Sequence, residues 1–383
     1  MGGRASNVST IRDANRATLF RELRKQPLSR AELTKSSGLT KSAVTMITNE
    51  LIAEGQLEEI GTVVSARGRK PILLGIVGNY RYAIGVELHR KHLGVCVTNL
   101  KAQVVGQVRR DRLDFADGHE ALRWIASTAE ALLQANGIPH EKLLGVGVSS
   151  PGPLDRVAGV ILNPPNFPLF SDMPVGALLR ERFGLPVVLE NNSVLLAITE
   201  YYHGAMRNCC NGMFVIVSDG IGSCVLQEGR VYRGLAGLAG ELGHTSLDIN
   251  GPFCTCGNRG CLELYATLDA LKKTFGFERY ESVVDGANAG DERSLRILDY
   301  LAERLACALT GAINLFDVDS VVLFGEYSYR PELLISRLNT LIAERSIISR
   351  AHPVKVEPSA LGGDIPAAAS TAALLAEYFN QAL

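Results

Sequence analysis

No apolar run in this chain approaches the roughly 18 residues that a membrane-spanning helix requires. Nor do the first ten residues, which are polar, carry the apolar core of a signal peptide. A bilayer span and a secretory route are thereby set aside, and a cytoplasmic protein with no membrane partner is expected. An excess of charge is missing as well: 21% of residues are charged, 46% are hydrophobic, and the formal net charge is −1. That balance excludes a disordered chain. Cysteine and histidine are sparse, eight and seven in 383 residues. Without a secretion signal the cysteines do not form a disulfide framework, because reducing compartments keep thiols free. Cys96, Cys209, Cys210, Cys224 and Cys307 lie mostly in apolar surroundings and are expected to be buried thiols. What is present is length, enough for two or three compact units.

The near-zero net charge hides an asymmetry. Residues 1–79 hold 12 Lys+Arg against 7 Asp+Glu, a balance of +5 that leaves −6 for the remainder. A basic head on an acidic body directs any polyanion to the head alone. Ser29-Arg-Ala-Glu32 has the spacing of a capping box and predicts a short helix over 30–37. Gly38 ends it in a tight turn, and Thr40 caps a second helix from Lys41 to about Glu54, with Val44, Ile47 and Leu51 on one face. Residues 8–25 form a preceding amphipathic helix on Leu19, Phe20 and Leu23. Three helices with a glycine-containing turn between the second and third are the helix-turn-helix arrangement. Strand-like runs Leu57–Val64 and Ile72–Val77 then flank a cationic tip, which makes the unit a winged helix-turn-helix over residues 1–79. In that geometry the start of the third helix enters the major groove. Thr40, Lys41, Ser42 and Thr45 are therefore the candidate DNA contacts there, while Arg67, Arg69 and Lys70 in the wing would neutralise phosphates or enter the minor groove. The plainer alternatives are a three-helix unit with solvated charges, or a winged helix used for protein contacts.

From Tyr80 the pattern changes to strand, turn, strand: Tyr82–Glu87, Leu93–Asn99, then Val104–Arg110. A comparable unit recurs at Met213–Val217, Ser223–Gln227 and Arg230–Arg233. Sequence similarity between the two is too weak to establish a duplication, yet a two-lobed α/β protein with a cleft between its lobes is the economical reading. Strand Leu143–Val148 runs into Ser149-Ser-Pro-Gly-Pro153, and strand Pro186–Leu189 ends in Glu190-Asn191-Asn192. Polar amides at the ends of apolar strands are where open sheets place ligand contacts, and they are also common turn residues.

Residues 244–261 concentrate three of the eight cysteines and one of the seven histidines. The spacing His244-x9-Cys254-x-Cys256-x4-Cys261 supplies three thiolates and one imidazole, the ligand set of a closed tetrahedral zinc site. Gly257 and Gly260 let the loop bend sharply enough for the ligands to converge. All four positions being filled, the ion is expected to be structural. Free thiols on an exposed loop, the alternative, would be open to oxidation. If one nitrogen of His244 holds the metal, the other can face a ligand with its orientation locked. Glu241 and Glu263 flank it, and carboxylates beside a fixed imidazole suit vicinal hydroxyls, which points to a sugar.

On four segments the chain resembles the ROK family, whose name joins repressors, open reading frames and kinases. They are Gly145-Val-Gly-Val-Ser-Ser-Pro-Gly-Pro153, Glu190-Asn-Asn192, Ala239-Gly-Glu-Leu-Gly-His244 and Cys254-Thr-Cys-Gly-Asn-Arg-Gly-Cys-Leu-Glu263. The resemblance spans essentially the whole sequence, including the winged helix of the regulator branch. It implies an actin-like, sugar-kinase (ribonuclease H-like) fold with a zinc loop, one lobe from 80–193 plus about 365–383 and the other from 194–364. It also implies a sugar site at Asn191, Asn192, Glu241, His244 and Glu263.

Departures from the kinase pattern separate regulator from enzyme. Family kinases carry an aspartate that takes the proton from the attacking sugar hydroxyl, and the matching position is Asn192. An amide has no useful basicity, and losing a general base costs about 10²–10⁴-fold. The first phosphate loop, an aspartate followed by small residues and a threonine in the kinases, is Glu87-Leu-His-Arg90 here, whose bulky side chains block close backbone approach to phosphate. In the second, Ser218-Asp219-Gly-Ile-Gly-Ser-Cys224, Asp219 replaces a threonine and is expected to repel a triphosphate. The glycine pair usual near the adenosine is Gly325-Glu326. No ATP is expected, and no catalytic residue is assigned. The sequence thus predicts a sugar- or sugar-phosphate-responsive regulator, a repressor by the commoner family arrangement, that binds operator DNA as a homodimer or homotetramer. A regulator whose body docks a protein instead of sugar, and an active sugar kinase carrying a DNA-binding head, are the alternatives.

Overall fold

Caps decide where the first helices begin. In the computed structural model, which describes residues 8–62, 71–164, 167–362 and 365–379, the chain opens with α1 (Val8–Lys25), β1 (Leu28–Ser29), α2 (Arg30–Ser37) and α3 (Lys41–Ala53). The Ser29 side chain accepts from the Glu32 N–H while the Glu32 carboxylate accepts from the Ser29 N–H at 2.8 Å, the reciprocal pair of a capping box. Gly38, at φ 69°, closes α2 in the left-handed region. Thr40 Oγ1 accepts from the Ala43 N–H at 3.3 Å and starts α3. Strands β2 (Leu57–Thr62) and β3 (Ile72–Ile76) pair antiparallel, and β1 adds to the free edge of β3. The expected wing residues Arg67, Arg69 and Lys70 lie outside the described residues.

Leu19, Leu33, Val44, Ile47, Leu51 and Leu74 form the core of this head, and the same apolar cluster takes in Leu100, Leu375 and Phe379 from the body. The rings of Phe20 and Phe379 lie 4.8 Å apart, and the Tyr378 hydroxyl donates to Gln56 Oε1 at 3.2 Å. The head's interior is therefore completed by residues from the far end of the chain.

In the body, β4 (Tyr82–Leu88), β5 (His92–Asn99) and β6 (Val104–Asp111) form an antiparallel meander, extended on the β4 side by the parallel strands β7 (Leu143–Ser150) and β10 (Val187–Asn191). Helix α4 (Gly118–Ala135), the hairpin β8 (Leu154–Asp155) and β9 (Val160–Ile161), and α5 (Val175–Phe183) connect these strands; α6 (Asn192–His203) follows β10. A second meander, β11 (Gly212–Val217), β12 (Ile221–Gln227) and β13 (Arg230–Val231), is extended beyond β11 by the parallel strands β14 (Ser320–Gly325) and β15 (Lys355–Pro358). The strand orders β10-β7-β4-β5-β6 and β15-β14-β11-β12-β13 are the same topology twice. The duplication that sequence similarity leaves open is plain in the strand order.

Between the meander and β14 lie α7 (Glu263–Ala266), α8 (Leu268–Phe275), α9 (Tyr280–Asn288) and α10 (Glu292–Phe316). Helices α11 (Glu332–Arg345) and α12 (Ile347–Ala351) precede β15. Helix α10 buries Ile297, Leu301, Leu305, Leu309 and Ile313, a helical stripe facing the second sheet. Helices α13 (Ile365–Ala369) and α14 (Ala372–Tyr378) then return to the first sheet, against β4, β5 and β7. A Cβ at Gly85 or Gly147 would run into Ser370, so glycine is what lets the α13–α14 junction sit on the strands. Among the described residues no helix is long and apolar enough to cross a membrane.

One composition-based expectation needs correcting. Cys96 and Cys224 are buried, but Cys209 is only partly so and Cys210 and Cys307 are exposed. Cys307, on α10, lines an open groove beside Met213 and Val225 of the second sheet, while Cys210 lies just before β11.

Candidate functional site

The end of β10 builds one wall of the cleft between the lobes. Glu190 and Asn191 remain in the strand, opposite Ser149 and Ser150 of β7, rather than leaving it as a turn. Asn191 then caps α6: its Oδ1 accepts from the Ser193 N–H at 2.9 Å and from the Ser193 hydroxyl at 2.6 Å. Asn192 Oδ1 also accepts from the Ser193 N–H, at 2.8 Å. Glu190 is 1% exposed, and its Oε2 lies 2.7 Å from both Arg156 Nε and Arg233 Nη1. Its Oε1 accepts from the Asn191 N–H at 2.8 Å. One buried carboxylate thus joins the β8–β9 hairpin of the first lobe to the segment after β13 of the second. The sequence offers no local signal for this pairing, because each arginine meets Glu190 only through the tertiary fold.

The opposite wall comes from the second lobe. Asn191, Asn192, Glu241, His244 and Glu263 all line one cleft, together with Pro151–Leu154, Ser218–Ser223 and Gly237–Gly240. Glu263 is fixed by the Ile221 N–H, which donates to its Oε1 at 2.7 Å. Burial, with the Glu263 charge adding to it and His244 opposing, pushes the Glu241 carboxyl above the usual carboxylate range.

Beside the cleft, the ligand atoms of His244, Cys254, Cys256 and Cys261 lie within 4.8 Å of one another. Cys256 Sγ and Cys261 Sγ are 3.7 Å apart, as are Cys254 Sγ and His244 Nδ1. A tetrahedral ion holding thiolates at about 2.3 Å places their sulfurs about 3.8 Å apart, so the donor set fits such a metal. Gly257 at φ 93° and Gly260 at φ 59° make the bends that bring the thiols together. With Nδ1 on the thiol side, Nε2 is on the far side of a ring that also lines the cleft.

The positions that match phosphate loops face each other across the cleft mouth. Lys91 Nζ is 2.5 Å from Asp219 Oδ1 and 3.8 Å from Glu326 Oε1. Asp219 is therefore paired with an ammonium group that it shares with Glu326, rather than presented as a bare negative charge. His89 and His92 stack with centroids 4.5 Å apart; burial first, and His92 second, push His89 down to about 4.

On the head, Lys41 and Ser42 are exposed at the start of α3. Thr40 and Thr45 are engaged in the helix itself, Thr40 as its cap and Thr45 through a hydroxyl that donates to the Lys41 carbonyl at 2.8 Å. Met46, 54% exposed, and Asn49 share the outward face with them and were not picked out by the cap-and-turn pattern. Arg30 braces that face, donating to Asn49 Oδ1 at 3.0 Å and Thr48 Oγ1 at 3.1 Å.

Comparison with known proteins places this arrangement. The xylose repressor of Bacillus subtilis (strain 168) is 28% identical over 375 residues, covering 97% of each chain. The DNA-binding transcriptional dual regulator NagC of Escherichia coli (strain K12) is 27% identical over 366 residues, 90% of this chain and 89% of its own. The crystal structure of a ROK family transcriptional regulator homologous to the E. coli MLC protein superposes with a TM-score of 0.77 at 25% identity, over 95% of this chain and 96% of the other. A ROK hexokinase from Thermus thermophilus gives 0.65 at 29% identity over 78% of this chain and 98% of its own, the head being extra here. Residues 83–377 match the ROK family, so with the doubled sheet, the His/Cys cluster and the shared cleft all in place, the chain belongs to it.

Proposed function

We propose that the protein is a sugar-responsive DNA-binding repressor whose sensor keeps a sugar-kinase scaffold without phosphoryl transfer. The observation that carries this reading is the contrast within one cleft. Its inner wall keeps polar groups suited to hydroxyls, while Asn192 stands at the base position and a Lys91–Asp219–Glu326 bridge spans the nucleotide side. The naming of relatives as repressors of xylose and N-acetylglucosamine systems supports it.

In this reading α2 and α3 with the β2–β3 hairpin are a winged helix-turn-helix. Lys41 and Ser42 approach base edges, with Thr40 and Thr45 at the same helix start, and Arg67, Arg69 and Lys70 meet the DNA backbone. Asn191, Asn192, Glu241, Glu263 and the Nε2 side of His244 hold the carbohydrate. The His244, Cys254, Cys256 and Cys261 set holds a structural zinc ion, which when bound locks the imidazole. The body divides into residues 80–193 with about 365–383, and 194–364. Two heads in a homodimer or tetramer read half-sites about 34 Å apart, and sugar alters their spacing by favouring one lobe arrangement.

The test is a thermal-shift screen of monosaccharides and their 6-phosphates, followed by fluorescence anisotropy on duplexes selected from a random pool, with and without the stabilising sugar. A raised melting point and sugar-dependent release of DNA are expected. Silence across the panel, or ADP release above background in a coupled assay with the same sugars, would overturn the reading.

A further inference from the structure

Helix α3 buries Val44, Ile47, Thr48 and Leu51, and its opposite face carries Ser42, Thr45, Met46 and Asn49 at the i, i+3, i+4 and i+7 spacing of one helical stripe. Met46 is the one large apolar side chain of that stripe, and it is 54% exposed. Asn49, a turn further on, is held from behind. The Arg30 guanidinium donates to Asn49 Oδ1 at 3.0 Å, to Thr48 Oγ1 at 3.1 Å and to Glu59 Oε1 of β2 at 3.2 Å. A guanidinium has no acceptor, so the amide atom that faces it is the oxygen, and the Nδ2 hydrogens are left for a ligand. Glu50, the only acid within α3, is paired with Arg12 at 2.7 Å, and Glu59 with Arg30. These pairings take bare negative charge away from the face that a polyanion would approach.

In the major groove thymine alone of the four bases carries a methyl group, and cytosine alone presents a donor with no acceptor. Met46 offers an adaptable apolar tip to the first, and Asn49 offers N–H donors that cytosine cannot accept. Three residues of helix rise about 4.5 Å, close to the roughly 3.4 Å step between base pairs, so the two side chains address neighbouring pairs. We infer that Met46 and Asn49 read one base-pair step of the operator, a thymine through its 5-methyl group beside a base that presents an acceptor. Arg30 is the positioning residue, because it fixes which way round the Asn49 amide stands. This rests on the DNA-binding reading and carries base recognition a further turn along α3 from Lys41 and Ser42.

The test uses full-length protein and a duplex selected from a random pool, with each thymine replaced in turn by uracil, a change that removes only the methyl group. Anisotropy is expected to find one thymine in each half-site whose replacement weakens binding about fourfold, the scale of one buried methyl group. Met46→Ala, a change at an exposed position, should bind the thymine and uracil duplexes alike. Reselection with Asn49→Asp, which keeps an oxygen toward Arg30 and turns the donors into acceptors, should bring cytosine into the neighbouring position. Arg30→Ala, which frees the amide to turn over, should widen the choice of base at that position, whereas a purely structural arginine would weaken all sequences alike. A flat uracil scan in wild-type protein, a methyl effect that survives in Met46→Ala, or an unchanged base preference in Asn49→Asp would overturn the inference while leaving a DNA-binding head standing. Failure to select any duplex would remove both.

Discussion

At the scale of single residues, the metal-ligand set and the buried carboxylates behave differently as sequence signals. The four ligands fall within residues 244–261, so their spacing alone announces them. Cys256→Ser is expected to lose bound zinc and several kcal/mol of stability, because a structural site contributes folding energy directly; metal analysis and a melting curve check this, and an unchanged melting temperature in metal-free protein would refute it. Glu190 was legible only as part of a motif, and its arginines not at all, since Arg233 reaches it from 43 positions away. Glu200 gave no signal either. It is fully buried in α6, where its carboxylate accepts from the Ala205 N–H at 2.6 Å and from the Ser359 hydroxyl. Burial raises its pKa against these hydrogen bonds. A carboxyl whose folded pKa lies above its unfolded one gives stability that is full at low pH and is lost as pH rises through the folded value. Glu200→Gln, whose amide oxygen can still accept from the Ala205 N–H while its amide nitrogen donates to the Ser359 hydroxyl, should therefore gain in melting temperature relative to wild type on going from about pH 4 to about pH 8. A pH-independent difference would place the raised pKa elsewhere.

Among the elements, α6 connects what the sequence reading kept apart. Its first turn lines the cleft, and its last turn meets the head: the Arg24 guanidinium of α1 lies 3.6 Å from the Tyr202 ring centroid, and Lys25 Nζ 4.8 Å from that of Tyr201. Desolvation lowers Arg24 to about 10, so it stays charged at neutral pH and the cation–π contact persists. A helix of 12 residues spans about 18 Å. Arg24→Ala is expected to leave sugar binding in place while the sugar-induced change in DNA affinity falls about fivefold or more, the low end of measured couplings. Anisotropy titrations with and without sugar report it, and an undiminished change would exclude this joint. The strands and caps were legible because alternation and capping are local. The boundary at β10 was not, since Glu190 and Asn191 stay in register with β7 where turn chemistry alone would release them.

On the scale of the molecule, charge asymmetry and doubled pattern foretold a basic head on two lobes, but only strand order reveals the lobes as one topology repeated. Lys41, exposed at the tip of α3, should on replacement by alanine lower DNA affinity and reduce the salt slope by about one; a slope unchanged in anisotropy across a salt series would take it out of the interface. What the pattern could not show is that the head does not own its whole core. Leu375, at 0% exposure, and Phe379, at 2%, complete it from the last described helix. Ending the chain at Ala372 should remove that packing at about 2–5 kcal/mol per lost side chain and abolish DNA binding, although residues 1–79 are untouched; retention probed by anisotropy would show a self-sufficient head. During synthesis, then, the head matures only after residues about 300 positions further along have been made, and a product terminated before them would lack the means to occupy an operator that it could never release.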